Sequence, residues 1–139
     1  MLFTGPVEDR LAIRELLEAY ADAVSRFDAD DWSALWAEDG VWSLPDYPEY
    51  PDTVGRAAIR DMWVTAMKDY PGIMFVAWPG SIKVDGNRAE VRSWTSEVYN
   101  DKDGKVHRDR GRYEDVCVKV NGQWLFQSRA FRNIHRQAV

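Results

Sequence analysis

The sequence predicts an α+β domain in which a curved, mainly antiparallel sheet wraps around helices that come first in the chain. Apolar residues recur every three or four positions up to about residue 72, and every second position after it. The segments of the second half are joined by VDGN, NDKDG and VNGQ, whose Asx-Gly chemistry is typical of hairpin turns. Strands and helices hardly alternate, which argues against a parallel α/β sheet.

A long helix and a short one are predicted at the start of the chain. Apolar side chains at spacings of three and four indicate an amphipathic helix over about 6–27. Asp30 or Asp31 is expected to cap a second, short helix, and Gly40 to release the chain into the strand-like VWSL. The acidic stretch FDADDW, which contains Asp28, therefore lies at the joint between the two helices.

A proline-rich loop and a third helix follow. The prolines of PDYPEYPDT indicate a loop or lid. After it, Ile59, Trp63 and Met67 share one face of a helix that is expected to end near Pro71. Everything before residue 72 is therefore predicted to be mainly helical.

The second half reads as an antiparallel meander of strands. Their expected bounds are 74–84, 88–100, 105–120 and 123–134. In the second of these strands the charged residues Arg88, Glu90 and Arg92 share one parity, so Glu97 falls on the opposite, inner face.

The third strand of the meander is read by the same alternation. It places Tyr113, Asp115 and Cys117 on the inner face. Val116 and Val118 then lie on the outer face, where an apolar surface would suit a subunit interface.

Composition limits the function classes. A chain of 139 residues with 45% hydrophobic residues can bury one core without metals or disulfides, and its charge of −5 argues against nucleic acid or an anionic membrane as the main partner. The single cysteine and the absence of a signal-peptide pattern at the N-terminus predict a reduced, cytoplasmic protein. No metal-ligand spacing and no phosphate-binding loop is present, so no cofactor is expected.

Several segments of the sequence resemble a known superfamily in their residue patterns and in their order along the chain. They are AIRELLEAYADAVSRFDADDWSALWAEDGVW, GRAAIRDMW, VDGNRAEVRSW and RGRYEDVCVKVNGQW. Together they resemble the SnoaL-like branch of the nuclear-transport-factor-2-like superfamily over nearly the whole chain. The resemblance implies a single domain over 1–139, a conical α+β barrel around one apolar pocket, and a homodimer or homotrimer formed through the outer sheet face.

The resemblance also implies a type of chemistry. Dehydratases and dehydrochlorinases of this superfamily are similar to the chain at Tyr20 and Asp28, where an aspartate orients a histidine that acts as general base. Counted back from Asp85, however, the position of that histidine falls on Phe75, or on Val76 if the register slips by one. The dyad is therefore incomplete in this chain, and a lone carboxylate is left as the alternative base.

Each catalytic candidate has an alternative reading. Asp28 is a pocket carboxylate or only a helix-terminal residue that binds local backbone. His107 is a second pocket histidine or an exposed hairpin residue. Asp115, flanked by Tyr113, is an inward carboxylate or the partner of a buried arginine such as Arg129 or Arg132. With Tyr20 and Tyr113 as phenols beside it, a carboxylate would suffice for enolisation, elimination or cyclisation.

The expected pocket wall is mostly aromatic. Its residues are Phe27, Trp42, Trp63, Phe75, Trp78, Glu97 and Tyr113. The first hypothesis is a cofactor-independent lyase or isomerase acting on a hydrophobic cyclic or aromatic compound. The second is a pocket protein that binds such a compound without catalysis, and the third is a structural subunit of the same fold.

Overall fold

The first half of the structure is mainly helical, as predicted, with three strands among the helices. The computed structural model describes residues 1–138. Its helices are α1 (Val7–Arg26), α2 (Ala29–Ser33) and α3 (Arg56–Ala66), the last continuing into a 3-10 turn, Met67–Asp69. The second half is the predicted meander of long strands.

Within residues 1–138, seven strands form one mixed, mostly antiparallel sheet. They are β1 (Phe3–Thr4), β2 (Trp36–Ser43), β3 (Thr53–Val54), β4 (Met74–Asp85), β5 (Arg88–Asn100), β6 (Val106–Val120) and β7 (Gln123–Ala138). Their order is β1-β4-β5-β6-β7-β2-β3, and the β4 to β7 meander is antiparallel throughout. The short β1 pairs in parallel with β4, and β2 with β7. The predicted α+β class is confirmed.

The joint between α1 and α2 differs in detail from the prediction. α1 ends at Arg26, and its C-cap, Phe27, adopts a left-handed conformation with a φ of 57°. The N-cap of α2 is Asp28, not Asp30 or Asp31, because its carboxylate accepts the backbone N–H of Asp31 at 2.9 Å. The second helix therefore begins earlier than predicted.

Strand β2 also begins earlier than predicted. It starts at Trp36, with an irregular register against β7 between Trp36 and Val41. Gly40 lies inside the strand instead of releasing the chain into it. A Cβ at Gly40 would stand 3.1 Å from the Trp36 indole, so the missing side chain lets that ring lie against the strand.

An aromatic cluster fills the space between the helices and the sheet. Trp32 and Trp63 stack with ring centroids 4.7 Å apart, and Trp36 and Trp42 pack around them. Tyr20 of α1 contacts Trp32 at 5.5 Å between centroids. This cluster holds the helices on the inner face of the sheet, since each ring removes a large apolar area from water.

The predicted alternation of inner and outer residues is observed in the sheet. On β5, Val91 and Thr95 are buried and Glu90 is exposed, and on β6 Tyr113 and Cys117 are buried. The outer face is apolar on β4, where Met74, Val76 and Trp78 are 62%, 51% and 47% exposed. Among the described residues, no helix has the length and apolar character needed to cross a bilayer.

Candidate functional site

The candidate site is a cavity between the helices and the inner face of the sheet. Its volume is about 270 Å³. Six of the residues expected from the sequence line it, namely Tyr20, Trp42, Trp63, Phe75, Glu97 and Tyr113. The cavity size suits a small ring compound.

Two phenols meet at the inner end of the cavity. The hydroxyl oxygens of Tyr20 on α1 and Tyr113 on β6 are 3.3 Å apart, and both residues are buried. Burial raises the pKa of Tyr20 and that of Tyr113 above the ordinary value of 10.0. Both hydroxyls therefore keep their protons at neutral pH. Since each hydroxyl can donate and accept, one proton of the pair is free to be donated to a ligand.

A buried ion pair lies beneath these phenols. Arg129 on β7 donates from Nε and Nη2 to the two carboxylate oxygens of Asp115 at 2.8 and 3.1 Å. Ser93 completes the group, donating to Asp115 at 3.1 Å and accepting from Arg129 at 3.0 Å. Asp115 is thus the partner of a buried arginine, which was the alternative interpretation of this residue. Its side chain does not border the cavity.

The guanidinium of Arg129 also supports the phenols directly. Its central carbon lies 3.7 Å from the ring centroid of Tyr113 and 4.3 Å from that of Tyr20. Burial opposes its charge, but Asp115 and the two phenols raise the pKa of Arg129 above its ordinary value. A fixed cation against the rings makes the phenols better hydrogen-bond donors, because it stabilises negative charge that develops on their oxygens.

The other polar end of the cavity is formed by Glu97 on β5. Its strand partner is Asp109 on β6, which also faces inward. Burial, and then the charge of Asp109, raise the pKa of Glu97 from 4.5 to about 8. Within residues 1–138 the Glu97 carboxylate has no hydrogen-bond or ion-pair partner.

Asp109 itself is engaged on one side. Its Oδ2 accepts the hydroxyl of Tyr99 at 3.0 Å and approaches Arg136 Nε at 3.4 Å. Its Oδ1 is buried without a partner among the described residues. The two neighbouring carboxyl groups therefore share one nearby arginine.

A phenyl ring covers the sheet between the two polar ends. Gly111 is the strand neighbour of Thr95, and a Cβ on Gly111 would collide with the ring of Phe131 at 2.1 Å. The missing side chain thus lets Phe131 lie on the sheet, with its ring 4.9 Å from that of Tyr113. A flat ligand ring can pack against this apolar floor.

Trp42 also borders the cavity. This residue is 8% exposed, and its indole N–H is buried without an acceptor among the described residues. The indole therefore contributes apolar surface to the cavity and no accessible donor.

Asp28 lies outside this arrangement. Its carboxylate caps α2 through the Asp31 N–H and pairs with Arg26 Nη1 at 3.1 Å. The hydrogen bond from the Asp31 backbone is the leading cause that lowers the pKa of Asp28 below its ordinary value. Phe75, which stands at the superfamily's histidine position, presents its ring to Tyr20 at 5.7 Å. The structure therefore does not bring an aspartate and a base together here.

Two of the expected wall residues face elsewhere. Phe27 turns outward because it is the left-handed C-cap of α1, and the residue is 43% exposed. Trp78 lies on the outer face of β4, because Phe75 faces inward and the faces alternate along the strand. The prediction that these two rings line the pocket is corrected accordingly.

His107 also lies away from the cavity. Its Nε2 is 2.7 Å from Asp101 Oδ2, and its ring stacks on Tyr99 at 5.3 Å between centroids. The side chain keeps the hairpin between β5 and β6 closed and does not border the cavity. Asp101 also accepts the backbone N–H of Lys105 in that hairpin, at 2.9 Å.

Residues of the proline-rich loop complete the cavity, and sequence reasoning missed them. Tyr47 and Tyr50 border it, with ring centroids 6.4 Å apart. The loop is held to the end of β7, where Asp46 accepts from Arg132 Nη1 at 2.8 Å and from the Asn133 backbone at 2.9 Å. The prolines indicated a lid, but nothing in the sequence indicated which strand it meets.

The short turn after α3 supplies two more wall residues. Asp69 and Tyr70 border the cavity, and the Tyr70 ring packs on Tyr99 at 4.6 Å. Within the part of the chain that the structure describes, His, Cys, Asp and Glu side chains form no group suited to hold a metal ion. The chemistry available in the described cavity lining is therefore mainly that of phenols and carboxyl groups.

Solved structures with the same fold include proteins of several activities. A protein named provisionally as a scytalone dehydratase, from Novosphingobium aromaticivorans, is 23% identical over 96% of this chain and 89% of its own, with a TM-score of 0.85. A type 2 hexachlorocyclohexane dehydrochlorinase is 12% identical over 96% and 90%, with a TM-score of 0.80. A ketosteroid isomerase-like protein from Erwinia carotovora atroseptica is 20% identical over 94% and 99%, also at 0.80. At these identities the likeness shows the fold, with its cone of sheet around the helices.

Sequence comparison gives the family. No curated protein sequence matches the chain. The family model described as SnoaL-like domain matches residues 6–130, which is most of this chain. The chain therefore belongs to the SnoaL-like domain family.

Proposed function

We propose that the protein is a cofactor-independent lyase or isomerase that moves a proton on a hydrophobic cyclic or aromatic compound. The observation that carries the proposal is the carboxyl group of Glu97, which borders an aromatic cavity, has no partner within residues 1–138 and has a pKa raised to about 8. A carboxyl group with a pKa near the working pH is suited to both accept and return a proton.

The phenol pair would supply the second half of the chemistry. When a carbon next to a carbonyl loses a proton, negative charge moves to the carbonyl oxygen. Tyr20 and Tyr113 hold donors at the inner end of the cavity, backed by the Arg129 cation. Donors already in place stabilise that charge without reorganisation, which favours enolisation, elimination and cyclisation alike.

In this proposal Glu97 takes the role of the base that the superfamily's dehydratases and dehydrochlorinases place elsewhere. The aspartate and histidine positions are occupied by a helix cap, Asp28, and by Phe75. Glu97 lies instead on the second strand of the meander, on the same inner face as Ser93 and Thr95. Activities of dehydratases, dehydrochlorinases and isomerases of this fold support the proposed reaction class by analogy only.

Deuterium exchange tests the proposed proton transfer without knowledge of the natural substrate. The probe is 2-tetralone, a ketone fused to an aromatic ring, followed by NMR in D2O. We expect the protein to accelerate exchange next to the carbonyl, with a rate that rises with pH through the titration of Glu97. Glu97→Gln should lower the rate by at least about a hundredfold.

The matched control is Glu90→Gln, the same substitution on the outer face of the same strand, where Glu90 is exposed. It should leave the rate unchanged. Tyr113→Phe should lower the rate by about a hundredfold through the lost donor. No acceleration by the natural protein, or equal rates for Glu97→Gln and Glu90→Gln, would remove Glu97 as the base.

A binding protein without catalysis is the second candidate. It is favoured by Phe75, which puts an apolar ring where the superfamily's dehydratases and dehydrochlorinases place their base. In that case ligands would bind with saturable affinity while exchange stayed at the rate of the buffer. Binding and exchange measured on the same sample separate the two candidates.

Self-association is proposed for the outer sheet face. Met74, Val76 and Trp78 on β4 lie beside Val98, Ser96 and Trp94 on β5, which makes a flat apolar strip. A second copy of the chain is the proposed occupant, in a homodimer or homotrimer, because a strip of this kind rarely stays in water. Sedimentation should give two or three chains, and Trp78→Glu should give one, whereas an unchanged mass would exclude this face.

A further inference from the structure

We propose that the cavity selects a positively charged ligand, a ring compound that carries a protonated amine placed beside Glu97. This inference rests on the proposed function only in using the same cavity. It names the class of compound and can be tested by binding alone. Its basis is the set of charges that surround the cavity.

The lining carries carboxyl groups and no basic side chain. Glu97 and Asp69 border the cavity, while within the described residues no Lys, Arg or His does. Asp69 approaches Lys102 at 3.8 Å, but Lys102 points into solvent with 86% of its side chain exposed. A cationic ligand would therefore find an unpaired carboxyl group at Glu97, whereas an anionic ligand would find no basic side chain in the described lining to pair with.

None of the described groups facing Glu97 pairs with it, although the charge of Arg136 partly offsets the rise of its pKa. Asp109 on β6 is its strand neighbour and adds negative charge. Arg136 on β7 is the nearest cation, but it approaches Asp109 at 3.4 Å and forms no ion pair with Glu97. Tyr113 on β6 and Tyr70 after α3 contribute neutral phenols. An ammonium group of the ligand is the partner that Glu97 lacks.

Aromatic rings at the same end favour a cation as well. Tyr47, Tyr50 and Tyr70 border the cavity, and the faces of Tyr50 and Tyr70 carry no cation from the described residues. Rings of this kind attract cations through their negative faces. The rest of the ligand, a flat apolar ring, would pack on Phe131, and an accepting group would reach Tyr20 and Tyr113 at the inner end.

A cation beside Glu97 would also serve the proposed proton transfer. It favours the ionised form of the carboxyl group, which is the form that accepts a proton. Binding of the ammonium at neutral pH should therefore displace a proton from Glu97. The positive charge of the ligand then both selects it and prepares the base.

Three probes of one shape test the inference. They are naphthalen-1-ylmethylamine, naphthalen-1-ylmethanol and 1-naphthoate, titrated calorimetrically at pH 7. We expect the amine to bind at least about tenfold more tightly than the alcohol, because it adds an ion-paired hydrogen bond, and the carboxylate to bind most weakly. Two buffers of different ionisation enthalpy should show release of up to about one proton on binding of the amine alone.

Two variants test whether Glu97 causes the preference for the amine and the proton release. Glu97→Gln should reduce the preference for the amine to below about threefold and abolish the proton release, whereas Glu90→Gln should keep both. The proposal is overturned if the amine binds no better than the alcohol, if the amine fails to bind at millimolar concentration, or if its preference survives in Glu97→Gln. The calorimetric proton release in the natural protein keeps the test valid should Glu97→Gln not fold.

The binding and exchange experiments can fail separately. Amine selectivity that depends on Glu97 without any exchange of 2-tetralone would support the ligand class and remove the catalytic role. Exchange that depends on Glu97 without amine selectivity would do the reverse.

Discussion

Arg129 and Asp115 form a bidentate ion pair in the interior of the sheet, where the two residues are only 1% and 4% exposed. The pair holds the guanidinium against the faces of Tyr20 and Tyr113, whose hydroxyls meet at the cavity. Arg129 Nε and Nη2 are bonded to Asp115 and Ser93, while Nη1 is buried without an acceptor among the described residues, so the charge depends on Asp115 and on the aromatic rings around it. The ion pair thus links the stability of the barrel to the position of the phenols.

Removing one member of this pair should destabilise the protein strongly. We expect Asp115→Asn to lower the free energy of unfolding by about 3–5 kcal/mol, because it leaves the Arg129 charge buried without its counter-ion. Urea denaturation followed by tryptophan fluorescence measures the change. The double substitution Asp115→Leu with Arg129→Met should cost less than the sum of the two single ones, and additive costs would contradict the coupling.

Asp28 should matter for stability and not for the cavity. We expect Asp28→Ala to cost about 1 kcal/mol through the lost cap of α2 and the lost contact to Arg26. Asp28→Asn keeps an oxygen that can accept from Asp31 and should cost only a few tenths of a kcal/mol. Neither substitution should change the affinity for naphthalen-1-ylmethylamine. A large loss of affinity or exchange rate with intact stability would show that Asp28 acts on the ligand.

The fold was predictable because its signals are local. Period-two alternation and Asx-Gly joints define the β4 to β7 meander, and the same alternation put Glu97 and Tyr113 on the inner face. The same alternation also argues against one of the predicted pocket residues, Trp78. Phe75 and Trp78 are three positions apart on one strand, so both could face the cavity only across a bulge, and the bulge of β4 comes later, between Pro79 and Ser81.

The site was less predictable because it depends on contacts between distant segments. Tyr47 is held at the cavity by contacts with the end of β7, where Asp46 binds Arg132, 86 residues away, and the Tyr47 hydroxyl binds Asn133. The left-handed conformation of Phe27 has no sequence signal of its own, since glycine is the residue that usually supplies it. The alternation predicted that Glu97 faces inward. Only the folded structure shows that none of the described residues pairs with its carboxylate.

Returning a histidine to position 75 should not recreate the dyad of the superfamily. In Phe75→His the ring would lie beside Tyr20, while the Asp28 carboxylate stays bound to Arg26 and the Asp31 backbone. Position 75 is also the strand neighbour of Glu97, so the substitution is made together with Glu97→Gln. Burial without a carboxylate partner lowers a histidine pKa, so in the double variant we expect a value below the ordinary one of about 6.5. NMR titration of the new imidazole measures it, and a raised pKa would show that Asp28 reaches the ring.

Glu97 should make the stability of the protein depend on pH in a direction unusual for a carboxyl group. Its pKa is raised from 4.5 to about 8 by burial and by Asp109, so between these values the folded chain holds a proton that the unfolded chain has released. The contribution of Glu97 to the free energy of unfolding is therefore fully present below pH 4.5 and is lost as the pH rises toward 8.

Glutamine at this position does not titrate, and this isolates the effect. We expect the difference in unfolding free energy between Glu97→Gln and the natural protein to grow in favour of the variant by on the order of 2 kcal/mol or more from pH 5 to pH 9. Urea midpoints at intervals across this range measure it. Glu90→Gln should follow the natural protein, because Glu90 is exposed on the outer face and pairs only with Arg88 at 3.4 Å. Parallel curves for Glu97→Gln and the natural protein would mean that Glu97 ionises in the folded state as it does in water, and the raised pKa on which its role as a base depends would be absent.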